Sequence, residues 1–237
     1  MEVNGWGDGI PNNDSVATAN INTVTYLNMT NLSISDLTGI QDFISLTELR
    51  VSDNSLSGVL DVSALVNLQK LYCSGNYGLT SLDLSGNVAL TTLYCQYNNN
   101  ITSLDLSTNI ALGTLTAEYM QLTSLDLTNN PNLWQLNVAG NPLNSINLSA
   151  NMSMQYLTLD NNNLTSLTVP SPALKNLSVK NNPLANISFS GTIIEELPLI
   201  LIELVLSSNV KSLVALSLDT SCGPPNSIIV NNDAGTP

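Results

Sequence analysis

The chain has 237 residues, only 10% of them charged, and its 18 Asp and Glu against 5 Lys and Arg give a net charge of -13 with no histidine. No basic surface is available to neutralise nucleic-acid phosphates or anionic headgroups, so nucleic acid and membrane surfaces are poor partners. The absence of histidine removes every Ser-His or Cys-His nucleophile pair, imidazole metal ligand and histidine pH switch. From the N-terminus, Met1 and Glu2 lead into Gly-, Asn- and Asp-rich residues with neither a basic n-region nor an apolar h-region, so no signal peptide is present as written. The most apolar stretch, 193–218, is broken by Glu195, Glu196, Glu203 and Lys211, and its longest uninterrupted apolar run is 197–202. No segment of the sequence is long enough to span a bilayer as a helix.

Between residues 22 and 218 the chain repeats itself every 20 to 22 residues, each period holding two similar halves. One half, the A segment, reads Leu90-x-x-Leu93-x-Cys95-x-x-Asn98 and recurs from Leu133, Met154 and Leu174. The other, the B segment, reads Leu79-x-x-Leu82-x-Leu84-x-x-Asn87 and recurs from Ile101, Leu122 and Leu143. Leu-x-Leu supplies the alternation of a strand, and coils stacked at that period bury their leucines in one interior, which predicts a mainly β solenoid. The Asn amide is suited to satisfy backbone groups at the turns, giving an inner ladder of Asn76, Asn98, Asn141, Asn162 and Asn182. Met120 breaks that ladder, and a local irregularity is expected there. Open ends of a solenoid expose leucines and unpaired strand groups. Residues 1–21 are therefore read as an N-terminal cap with Trp6 and Ile10 as apolar contacts, 22–218 as the solenoid, and 219–237 as a C-terminal cap or tail.

The motif Leu-x-x-Leu-x-Leu-x-x-Asn-x-Leu, cleanest at 133–143 and 154–164, resembles the leucine-rich repeat. The alternation of Leu79-Thr-Ser-Leu-Asp-Leu-Ser85 with Leu90-Thr-Thr-Leu-Tyr-Cys95, preceded by Ile34-Ser-Asp-Leu-Thr-Gly-Ile40, more narrowly resembles secreted leucine-rich-repeat proteins of the Bacteroidetes and Flavobacteria. The resemblance implies a right-handed superhelix with a parallel β-sheet on the concave face and extended or irregular segments on the convex face. It also implies a secreted or cell-surface binding or adhesion module whose signal peptide has been removed.

The family spacing Asn-x-Leu occurs in the A segments, as in Asn141-x-Leu143, so these are expected to build the concave sheet. Their outward positions vary (Tyr72, Tyr94, Thr116, Asn137, Thr158, Ser178), whereas the B segments repeat Thr-Ser-Leu-Asp nearly unchanged. Tyr72, Tyr94, Tyr97, Tyr119 and Tyr156, with Trp134, are assigned to outward A positions, and Glu118, Asp160, Gln96 and Gln135 as polar neighbours. Outward aromatics offer large rigid contact areas, so Tyr72, Tyr94, Tyr97, Glu118, Tyr119, Trp134 and Tyr156 are the candidate site for a protein or glycan ligand. The competing reading is that aromatics favour strands and stack along the ladder for stability alone.

Asp83, Asp105 and Asp126 fall one coil apart, where like charges at about 5 Å repel by about 3 kcal/mol per pair at an effective dielectric near 20. Solvation and hydrogen bonds from nearby Ser and Thr hydroxyls would relieve that; a divalent cation is the alternative. Rows of Thr (Thr80, Thr102, Thr123, Thr165) would suit an ice-binding flat sheet, against which the interleaved Asp residues argue. The segment Asp8-Gly-Ile-Pro-Asn-Asn-Asp14 resembles part of a thrombospondin type 3 calcium repeat, implying calcium at Asp8, Asn12 and Asp14, but Asn4 and Trp6 stand where acidic residues belong. Otherwise no cofactor or metal is expected.

Cys73 and Cys95 share the inward position of Val51, Ala117 and Val138 and are read as free core thiols. Paired carboxylates are the only acid-base equipment available, and the adjacent Glu195 and Glu196 would point to opposite faces of a strand. The sequence therefore reads as a non-enzymatic, monomeric binding module. The alternative is the recognition part of a larger secreted enzyme or sorted surface protein whose catalytic part lies elsewhere.

Overall fold

The computed structural model describes residues 21–170 and 172–189, together with the backbone of 202–207, 215–218 and 228–233. Trp6, Ile10, the Asp8, Asn12 and Asp14 group, Glu195, Glu196 and Cys222 lie outside the described residues.

The strands, in chain order, are β1 (Tyr26–Asn28), β2 (Glu48–Arg50), β3 (Ser57–Asp61), β4 (Lys70–Tyr72), β5 (Gly78–Asp83), β6 (Thr92–Tyr94), β7 (Thr114–Thr116) and β8 (Gln135–Asn137). They continue as β9 (Tyr156–Thr158), β10 (Ser166–Val169), β11 (Asn176–Ser178), β12 (Asn186–Phe189), β13 (Ile202–Ser207), β14 (Ala215–Leu218) and β15 (Ile228–Asp233). The A segments build one parallel sheet of ten strands in the order β1-β2-β4-β6-β7-β8-β9-β11-β13-β15. Its register sets the middle leucines side by side, Leu49 against Leu71, Leu71 against Leu93, Leu93 against Leu115 and Leu115 against Leu136. All five are essentially sealed from solvent. The result is a parallel β-solenoid of about 8 turns with almost no helix, the A segments forming its concave face.

The B segments are extended without ladder pairing through 101–106, 122–127 and 143–148, as expected for the convex side. Toward the two ends they become strands: β3 pairs with β5, and β10 with β12 and β14. In β3 and its lead-in Leu56 and Leu60 are four residues apart, whereas Leu79 and Leu82 in β5 are three apart. A bulge between Gly58 and Val59 leaves Thr80 of β5 without a partner, setting Gly58 opposite Leu79 and Val59 opposite Ser81, so that Leu60 and Leu82 align while Leu56 and Leu79 do not.

Two asparagine ladders close the turns. On the A side each amide donates to the carbonyl three residues earlier and to the equivalent carbonyl of the preceding coil, as Asn162 does to Leu159 (2.9 Å) and Val138 (3.1 Å). Its Oδ1 accepts an amide of the preceding coil, that of Leu143 at 3.3 Å. On the B side Asn87, Asn109, Asn130 and Asn151 donate twice to the preceding coil, as Asn87 does to the Val62 and Leu65 carbonyls (both 2.9 Å), and their buried Oδ1 atoms have no partner among the described residues.

The irregularity expected at Met120 does not occur in the sheet, since β6, β7 and β8 keep continuous register past it. The physical reason is double coverage. Asn98 still bonds the Cys95 carbonyl (2.8 Å) and Asn141 the Ala117 carbonyl (2.8 Å), so the missing amide orphans neither. Met120 instead fills apolar space, with its Sδ 4.0 Å from Cys95 Sγ. Cys73 and Cys95 are free and buried, and burial pushes the Cys73 thiol up to about 12 and Cys95 well above its ordinary value. They are core residues, not reactive ones.

Candidate binding face

Strand alternation turns the residues on either side of each central leucine out onto the concave face. One file runs Arg50, Tyr72, Tyr94, Thr116, Asn137, Thr158 and Ser178; the other runs Tyr26, Glu48, Lys70, Thr92, Thr114, Gln135, Tyr156 and Asn176. In the first, the Tyr72 and Tyr94 rings stack at 5.1 Å and 16°. The Arg50 guanidinium lies 4.3 Å over Tyr72 and donates from Nε to Glu48 Oε1 at 2.7 Å; that hydrogen bond pushes Arg50 above its ordinary value. Lys70 approaches the other Glu48 oxygen at 3.5 Å.

Tyr97 and Tyr119 are not in strands. They occupy the position immediately before the ladder residue, where every described coil takes a left-handed backbone: φ is 56° at Asn31, 56° at Asp53, 68° at Gly75, 72° at Gly140, 54° at Asn161 and 56° at Asn181. Six coils use Gly, Asn or Asp, the residues that tolerate this conformation, while Tyr97 (60°) and Tyr119 (49°) adopt it at a cost of about 1–2 kcal/mol each. Their rings stack at 5.2 Å and 7°. Tyr119 also covers Gly140, where an added Cβ would sit 2.5 Å from its Cδ1.

Trp134 and Tyr156 meet edge to face at 6.0 Å and 77° on the opposite flank, with Lys175 Nζ 5.9 Å over Tyr156. A second glycine makes the seat here, because a Cβ on Gly113 would come within 3.0 Å of Trp134 Nε1. The six aromatics proposed from sequence thus form three pairs, spread over a face about 20 Å by about 20 Å at strand and coil spacings. Between them the floor is low. Thr114 and Thr116 of β7 are each only 6% exposed, and no hydrogen bond joins either hydroxyl to another described residue.

Glu118 receives a short hydrogen bond from Asn137 Nδ2. Partial burial raises its carboxyl, Asp160 adds to that, and the Asn137 bond opposes both. Asp160 accepts from Ser178 Oγ and the Lys180 amide, both at 2.7 Å. Gln96, in the same file as Glu118, carries a buried Oε1 with no partner among the described residues. Gln135 is half-buried beside Thr114. Sequence reasoning missed Tyr26, which is 51% exposed at the head of the second file, and Arg50 as the cap of the tyrosine stack.

Charge is sorted between the faces. The four described cations, Arg50, Lys70, Lys175 and Lys180, all belong to A segments, where they balance Glu48, Asp53, Glu118 and Asp160. The B side carries Asp36, Asp61, Asp83, Asp105 and Asp126 with no cation among its described residues. Each B-side carboxylate turns Oδ1 to the Ser or Thr two residues on: Asp83 accepts from Ser85 N (3.1 Å) and Oγ (2.7 Å), and Asp126 from Thr128 N (3.0 Å) and Oγ1 (2.7 Å). These bonds hold Asp36, Asp83, Asp105 and Asp126 below the usual carboxylate range and supply the hydroxyl relief expected from sequence. Among the described residues no three Asp, Glu or Cys side chains gather as metal ligands. The flat threonine sheet of the ice-binding alternative does not form, because Thr80 is in β5 while Thr102 and Thr123 lie in unpaired segments. No described helix is long and apolar enough to cross a membrane.

Residues 66–108 match the family described as Leucine Rich repeats (2 copies). No curated protein sequence matches the chain. Among solved structures, a leucine-rich-repeat protein of Leptospira interrogans is 20% identical with a TM-score of 0.60, covering 85% of this chain and 55% of that one. The plant peptide hormone receptor RGFR1 in complex with RGF2 is 17% identical with a TM-score of 0.51, covering 91% and 37%. The functional domain of InlJ from Listeria monocytogenes is 23% identical with a TM-score of 0.41, covering 86% and 64%. The chain thus spans less than two thirds of each of these three structures. The family match, the motif repeated along the described chain, and the fold shared with the Leptospira protein and the plant receptor together support a leucine-rich-repeat solenoid.

Proposed function

We propose that the chain is a non-enzymatic, monomeric binding module that recognises a protein or a glycan through the concave sheet, as part of a secreted or cell-surface bacterial protein. The observation that carries this reading is the backbone at Tyr97 and Tyr119. Two large aromatics stand where six other coils place Gly, Asn or Asp, and both rings remain more than 40% exposed. A residue kept against local backbone preference and left facing solvent is better accounted for by recognition than by stability. The charge-balanced concave face, against an acidic convex one, adds a surface on which apolar and hydrogen-bonded contacts dominate. The plant receptor's complex with RGF2 gives this fold a precedent for holding a partner. Origin among the Bacteroidetes and Flavobacteria rests on the motif resemblance alone. In this reading no cofactor takes part, and calcium leaves the melting temperature unchanged; a rise would restore a bound cation, at the row Asp83, Asp105 and Asp126 or at Asp8, Asn12 and Asp14.

The test is a glycan and surface-protein binding screen of the wild type beside Tyr94→Ala, Tyr119→Ala and Trp134→Ala. A ligand held by this face loses at least tenfold in affinity in one or more variants, each change of that size being about 1.4 kcal/mol. Undiminished binding in all three rejects the concave face.

A further inference from the structure

The first described coil does not pair with the second on the convex side. Asp36 Oδ1 captures the Thr38 amide at 2.8 Å, Gly39 turns left-handed at φ 95°, and a 3-10 turn follows over Ile40–Asp42. The chain bends away from β3 there and leaves a groove of about 300 Å3 between residues 35–41 and 56–62. Ile40, Leu60 and Leu79 form its buried apolar floor, Val59 stands 61% exposed at its side, and Asp36 and Asp61 stand on its two walls. No basic residue lines it among the described residues.

This wall is an open strand edge. Val62 N donates to Asp83 O across to β5 at 3.2 Å, so by strand alternation the backbone groups of Val59 and Asp61 point the other way, into the groove. No described residue hydrogen-bonds either amide. Unpaired N–H and C=O groups in a row are a template for another strand.

We propose that this groove docks an extended, basic segment of a partner protein, which adds to β3 as a further strand. The backbone of the segment pairs with Val59 and Asp61. Its alternate side chains enter the apolar floor, and those between them carry positive charge toward Asp36 and Asp61. A second copy of this chain is a poor occupant, since its described B side carries Asp36, Asp61, Asp83, Asp105 and Asp126 and no cation. The site is on the opposite face from the aromatic pairs and is independent of them.

The probe is a fluorescein-labelled Lys-Val-Lys-Val-Lys-Val peptide, read by fluorescence anisotropy against the full chain. Methylating alternate backbone nitrogens of the peptide, or replacing its lysines by glutamates, weakens binding at least tenfold. Val59→Pro, which removes an amide donor that no strand uses, does the same, and an outward-facing proline is tolerated on an edge strand. Asp61→Asn weakens binding and flattens its salt dependence. Tyr94→Ala leaves it unchanged. The proposal is overturned if the peptide does not bind, if the methylated peptide binds equally well so that charge alone suffices, or if Tyr94→Ala abolishes binding and places the peptide on the concave face. The methylated peptide keeps the test decisive even where Val59→Pro fails to fold.

Discussion

Gly140→Ala separates backbone strain from the seating of an aromatic ring. Gly140 and Gly58 share a φ of 72°, but a Cβ on Gly58 meets nothing within 4 Å whereas one on Gly140 lands 2.5, 2.7 and 3.1 Å from three atoms of the Tyr119 ring. Placing alanine in the left-handed region costs about 1–2 kcal/mol at either position. At Gly140 the ring must also lift. That forfeits the Tyr97–Tyr119 stack at 5.2 Å, a further loss of about 0.5–1.5 kcal/mol. Gly58→Ala is therefore expected to destabilise by about 1–2 kcal/mol and Gly140→Ala by about 2–3, the excess vanishing in a Tyr119→Ala background. Urea titration gives both differences from midpoints at constant slope, and the thermal midpoint falls by about 2–4 °C per kcal/mol. Equal losses at the two glycines, within about 0.3 kcal/mol, or an excess that persists without Tyr119, would refute the seating argument. In a ligand-binding assay Gly140→Ala weakens binding without removing an aromatic, a result that Gly58→Ala does not share.

Asn98→Met should destabilise by about 1–3 kcal/mol more than Asn162→Met in the same titration. Cys95 O has Asn98 as its side-chain partner and Met120 in the next coil, while Leu159 O keeps Asn182 at 2.8 Å when Asn162 is lost. Glu118→Gln should raise stability at neutral pH. Burial and Asp160 hold the carboxyl above its ordinary 4.5, so the folded state binds the proton more tightly. Stability at this site is then fully present below the unfolded value and lost as pH rises through the raised one, a dependence that the glutamine removes and melting curves across pH 4 to 8 detect. Ser85→Ala should return Asp83 toward its ordinary 3.8 in an NMR titration. Stability linked to Asp83 is present above that value and lost as pH falls through the depressed one, so the variant and wild type should converge at the acid end.

The concave sheet was legible because Leu-x-Leu and its spacing are properties of every coil, and stacking forces equivalent residues into register. Tyr26 escaped because its coil spells the motif Val24-x-x-Leu27-x-Met29-x-x-Leu32, with Leu32 in the ladder position. The stacking of Tyr97 on Tyr119 outside the strands was hidden because left-handed positions are inferred from Gly and Asn, and two tyrosines at such a position send the opposite signal. Met120 was misjudged because a motif within one coil cannot show that its neighbour already bonds the same carbonyl. The convex strands depend on coil spacing, which the nearly identical B segments do not encode. The open edge of β3 follows from the left-handed Gly39 and the 3-10 turn over Ile40–Asp42 in the coil before it.

The A-side asparagines also have a direction. Each donates backward to its predecessor's carbonyl and accepts that predecessor's amide, as Asn182 does for Leu159 O and Leu164 N. A coil is therefore sealed by the one made after it. With translation at about 5–20 residues per second, a ribosome delivers each latch about one to four seconds after the turn it fastens, so assembly can follow synthesis, with the newest turn always the one left ajar.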